Sequence, residues 1–86
     1  MHFVTLLKFR RRPTKEEIEM TPKRAEAAGI KLKEAYWCLG RFDAVVIYEA
    51  PNAETAMKAF SGSLDIASSE TLVAIPRAEA VKLAGY

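Results

Sequence analysis

From Lys31 to Glu49 the chain reads KLKEAYWCLGRFDAVVIYE. Residues 31–39 carry the β-favouring bulk of Tyr36 and Trp37 and predict one strand; Phe42 to Glu49, built on Val45, Val46, Ile47 and Tyr48, predicts the next. Gly40-Arg41 between them reads as a turn, and so short a connection makes the pair an antiparallel hairpin. Upstream, His2 to Phe9 is a run of apolar and β-branched residues without Gly or Pro, stopped by Arg10, and predicts a first strand. Thr14 with Glu17 three residues on forms a capping box. Thr21 followed by Pro22 offers a second helix start, so the pattern predicts a short turn over 14–20 and a main helix over 22–28 closed by Gly29. Downstream, Asn52 after Pro51 is a good N-cap for a helix over 53–60, with Ala56, Met57 and Phe60 at helical spacing and Ser61-Gly62-Ser63 as its end. Ile66 to Ile75 then predicts a fourth strand, and Pro76 opens a tail of one or two helical turns.

The order is β-α-β-β-α-β, a ferredoxin-like α+β sandwich whose right-handed crossovers place both helices on one face of a four-stranded antiparallel sheet. Helices cover only that face. Yet the first strand offers Phe3, Leu7 and Phe9 on one side and Val4 and Leu6 on the other, and the third sets Val46 and Tyr48 against Val45 and Ile47. A second apolar sheet face needs a cover, and another copy of the same sheet is the economical one, which predicts a homodimer or higher oligomer.

Eighty-six residues predict one domain, residues 1–86, with a thin core. Half the residues are hydrophobic and 28% are charged, which excludes a disordered chain. No apolar run nears the ~20 residues of a membrane span, and Met1-His2-Phe3-Val4 lacks the charged start of a secretory signal. A single cysteine, Cys38, and a single histidine, His2, leave no zinc constellation and no serine-histidine-aspartate triad. The expectation is a cytoplasmic protein with no metal and no cofactor. The net charge of +2 is uneven: up to residue 24 seven bases face three acids. Arg10-Arg11-Arg12 is read as a solvated loop or a small anion contact, far from the basic field that nucleic acid requires. The third strand, Gly40-Arg41-Phe42-Asp43-Ala44-Val45, also lacks the second aromatic of an RNA-recognition strand and carries an acid there. No glycine-rich dinucleotide fingerprint occurs.

The block Ala35-Tyr36-Trp37-Cys38-Leu39-Gly40-Arg41-Phe42-Asp43-Ala44-Val45-Val46 resembles the signature of the GYD-domain family. The resemblance continues at Pro22–Ala27, Glu49–Asn52 and Ser69–Leu72 and spans most of the chain. It implies a dimeric α+β barrel relative, a small prokaryotic protein whose biochemical role is largely unassigned. Phe42 stands where that family usually has tyrosine, so no phenol hydroxyl acts there.

Asp43 is the first candidate for chemistry. By alternation it shares a face with Val45 and Ile47, where a carboxylate's pKa would rise and it could serve as a base. The competing reading has its oxygens accepting turn or neighbouring-strand N–H groups. Glu70 is the second candidate, an acid on a strand expected to be central, either paired to Arg41 or Arg77 or functional. Tyr36 and Trp37 point to opposite faces, one under the helices and one in the sheet–sheet space. Together with Gly40, Arg41, Asp43 and Glu70 they make up the candidate ligand-binding set. Cys38 is read as a buried small hydrophobe, and His2 as a strand-end residue with metal or haem ligation as the alternative. The functional expectation is a small-ligand-binding or regulatory module. The alternatives are a cofactor-independent oxygenase or isomerase using a pocket carboxylate, and a structural assembly module.

Overall fold

The computed structural model describes residues 1–86. Its elements are β1 (His2–Phe9), α1 (Lys15–Ala27), β2 (Lys31–Trp37), β3 (Ala44–Glu49), α2 (Ala53–Ser61), β4 (Ala67–Ala74) and α3 (Arg77–Leu83). The sheet order is β2-β3-β1-β4 with every neighbour antiparallel. This is the ferredoxin-like arrangement expected from the hairpin outward.

Of the N-caps read from the sequence, those at Thr14 and Asn52 are formed. Thr14 Oγ1 accepts the Glu17 N–H at 3.1 Å while Glu17 Oε1 accepts the Thr14 N–H at 2.8 Å. Asn52 Oδ1 accepts the Thr55 N–H at 2.8 Å. The expected break at Thr21-Pro22 does not occur: α1 runs unbroken through Pro22. Proline removes one intrahelical N–H, but the Thr21 hydroxyl donates to the Glu17 carbonyl at 3.0 Å, and the turn is exposed, so the freed backbone group reaches water. Gly29 ends the helix at φ +81°, a conformation that glycine adopts without a Cβ clash.

The hairpin connection is longer than its sequence suggests. β2 stops at Trp37 and β3 starts at Ala44. Cys38 N–H donates to the Asp43 carbonyl at 2.8 Å, so residues 39–42 form the loop, with Gly40 at φ +130°. Cys38 is therefore exposed rather than buried, because strand alternation has already ended.

The core lies on the helix side. Phe3 stacks on Tyr48 with ring centroids 5.6 Å apart, and Tyr48 meets Phe60 at 5.3 Å. Tyr48 and Thr5 are both fully buried, and their hydroxyls are satisfied in a chain: Tyr48 Oη to Thr5 Oγ1 at 2.9 Å and Thr5 Oγ1 to Thr71 Oγ1 at 2.9 Å. The opposite face is uncovered. There Val4 pairs with Ile47 and Leu72, and Leu6 pairs with Val45 and Glu70. No helix is long and apolar enough to cross a membrane.

Candidate functional site

The positions that face the helices are unusually small where the sheet meets α1 and the end of α2. Ala35, Ala44 and Ala67 come from the strands, and Ala25 and Ala59 from the helices. They line a cavity of about 370 Å³ between sheet and helices. Sixteen of its 22 wall residues are hydrophobic, so the wall is largely apolar. Phe9 and Trp37 stand at its mouth, edge to face with centroids 5.3 Å apart, and Trp37 is 66% exposed there.

The polar wall is sparse: Glu17, Thr21 and Arg24 from α1, and Ser63 just beyond α2. Glu17 is held by Arg11 through two parallel bonds of 2.8 Å, a bidentate pair. That pairing, with the Thr14 N–H, brings the Glu17 carboxyl from the ordinary 4.5 down to about 2. Two of the three arginines of the basic run, Arg10 and Arg11, thus serve the fold. Arg11 also approaches Asp65 at 3.6 Å, and Arg10 Nε donates to the Leu64 carbonyl at 2.8 Å, tying the start of α1 to the loop before β4.

A depressed carboxylate contributes its full stabilisation only while it is charged in both the folded and the unfolded state. The Glu17 contribution is therefore complete above pH about 4.5 and fades as pH falls towards about 2. A Glu17→Gln variant keeps an acceptor for Thr14 and loses the charge. Its melting temperature should lie slightly below wild type at pH 7, the gap closing by pH 2 and shrinking in molar salt. A gap that persisted at pH 2 would assign the effect to packing instead.

Trp37 lines the cavity from β2, and Tyr36 borders it while its hydroxyl donates to Glu34 Oε2 at 3.1 Å, which pushes the phenol pKa up. By alternation Trp37 faces the helices and Tyr36 the open side, as their adjacency predicts. The structure does not bring the other four candidates to the cavity wall. Gly40 and Arg41 sit in the loop, where the Arg41 guanidinium lies 5.0 Å from the Phe42 ring centroid. Asp43 Oδ2 accepts the Phe9 N–H at 2.8 Å and lies 3.4 Å from Lys8 Nζ, so its carboxylate joins the ends of β1 and β3. Glu70 is on an edge strand, not a central one, because the second crossover adds β4 outside β1. It stands exposed on the open face beside Leu6 and pairs with neither Arg41 nor Arg77 within 4.0 Å. His2 is 3.9 Å from Glu49, itself drawn below the usual carboxylate range by Lys33 at 3.0 Å. No group of three or more metal-ligating side chains occurs.

The alanine-lined wall has no motif that local reading finds. Its signal in the sequence is alanine at inward strand positions 35, 44 and 67, where valine or leucine is the ordinary choice.

Fold and cavity together define a ferredoxin-like α+β domain with a half-open apolar cavity between sheet and helices. The family model for the GYD domain matches residues 7–84, and the chain belongs to that family. Two solved structures share the fold. One, described as "crystal structure of FFRP-DM1", has a TM-score of 0.56 at 19% identity, covering 86% of this chain and 97% of that one. The other is the hypothetical protein PHS023 from Pyrococcus horikoshii, with a TM-score of 0.55 at 20% identity, covering 86% of this chain and 88% of that one. No curated protein matches the sequence.

Proposed function

We propose that this protein is a small-ligand-binding module that works in the cytoplasm as a homodimer, with one ligand per protomer in the cavity between sheet and helices. The observation that carries it is the 370 Å³ apolar cavity, large enough for a small aromatic or aliphatic molecule. A domain this small gains stability from every filled space, so five alanines kept around one void favour a role for the void over a defect of packing. The open sheet face supports the second copy: Val4, Leu6, Val45, Ile47 and Leu72 form a continuous apolar centre that no helix of the same chain covers. The pocket-carboxylate alternative has less support, since Asp43 is spent on the β1–β3 junction and Glu70 lies on the other face of the sheet.

The test uses N-phenyl-1-naphthylamine, a neutral dye that brightens on leaving water. It should bind saturably, one per protomer, and quench Trp37 at the cavity mouth. Ala35→Phe fills the cavity from an exposed edge strand, where a larger β-favouring residue is tolerated. It should weaken dye binding by about tenfold or more with the circular dichroism unchanged, the worth of a lost apolar contact of 1–3 kcal/mol. Absence of saturable binding, or binding indifferent to Ala35→Phe, would overturn the ligand-binding role.

A further inference from the structure

The polar groups on the cavity wall differ in whether they are already spoken for. Both Glu17 oxygens accept from Arg11. The Thr21 hydroxyl donates to the Glu17 carbonyl, and the Ser63 hydroxyl donates to the Phe60 carbonyl at 3.2 Å. Two side-chain groups remain without a partner, the Arg24 guanidinium and the Trp37 indole N–H. Arg24 has no acid within reach on its own helix, because the positions three and four away are Met20, Thr21, Ala27 and Ala28. It makes no ion pair elsewhere, while the other charge on the wall, Glu17, is neutralised by Arg11. Both free groups are donors, one of them permanently cationic, and the surface beneath them is apolar.

We infer that the cavity takes an amphipathic organic anion, its apolar body among the alanines and its acidic group on Arg24. This rests on the ligand-binding role proposed above and adds the chemical class of the ligand. A neutral apolar molecule would leave the Arg24 guanidinium to water. A cation would meet the Arg24 charge with no free acid to offset it.

Two dyes separate the inference from the role on which it rests: neutral N-phenyl-1-naphthylamine, and 1-anilinonaphthalene-8-sulfonate, which carries the same rings and one sulfonate. Arg24→Gln, on an exposed turn, should fold as wild type. It should weaken the sulfonate dye by about fivefold, the upper range for a solvent-accessible ion pair, and leave the neutral dye within twofold. Arg24→Glu should weaken the sulfonate dye further, and added salt should erode the wild-type preference. Neutral-dye binding abolished by Ala35→Phe, together with sulfonate binding indifferent to Arg24→Gln, overturns the anion inference and leaves the ligand-binding role standing. Equal weakening of both dyes also overturns it, by assigning Arg24 a packing role. If neither dye binds wild type, the role and the inference fall together.

Discussion

Val4→Glu should convert a dimer into a folded monomer. In light scattering at micromolar concentration the proposed dimer has twice the 9.6 kDa protomer mass, and the variant should return 9.6 kDa. Val4 sits between Ile47 on β3 and Leu72 on β4, at the centre of the uncovered face. In an isolated protomer a glutamate there stands on a sheet face open to water, and costs about 1 kcal/mol through lost β-propensity and side-chain packing. In a dimer with facing sheets a two-fold axis brings two such glutamates into the interface, each without a partner. An uncompensated buried charge costs on the order of 3–5 kcal/mol. Even one such term weakens association by more than about a hundredfold, since each 1.4 kcal/mol is tenfold. The circular dichroism should be unchanged, which separates dissociation from unfolding. A wild type that runs as a stable monomer, or a Val4→Glu variant that keeps the dimer mass, would refute assembly through this face.

The hairpin, the caps and the strand alternation were legible in the sequence because each depends on neighbours within four residues. Thr14 needs only Glu17, and Asn52 needs only Thr55. The opposite faces of Tyr36 and Trp37 follow from a period of two. What was not legible depends on solvent exposure, on side-chain geometry, or on residues far apart. Proline at position 22 reads as a break unless the exposed setting and the Thr21 hydroxyl are known. Glu70 reads as central until the strand order puts β4 at the edge. The cavity needs five alanines from five elements to converge, and the Arg11–Glu17 pair turns what reads as a solvated basic loop into a clamp. Asp43 lies at the end of the loop that precedes β3. Its partner, the Phe9 N–H, is 34 residues away and invisible to local reading.

That partner makes Asp43 the site where stability and chemistry part most clearly. Its backbone already extends the β1–β3 ladder, with the Asp43 N–H donating to the Leu7 carbonyl at 2.8 Å and its own carbonyl accepting from Cys38. The carboxylate adds the last bond by receiving the Phe9 N–H where β1 ends and the chain turns towards α1. Asp43→Ala leaves that part-buried donor empty, at a cost of about 1–3 kcal/mol. The ion pair to Lys8 is exposed and contributes little. In a domain of this size about 2 kcal/mol lowers the melting temperature by roughly 10 °C. Asp43→Asn retains an acceptor oxygen in nearly the same place and should lose only a few degrees. Because Asp43 does not line the cavity, both variants should bind the neutral dye as wild type does at temperatures where they are folded. An Asp43→Asn protein with unchanged melting temperature and lost ligand binding would reverse the assignment, placing the carboxylate in the site instead of at the strand junction.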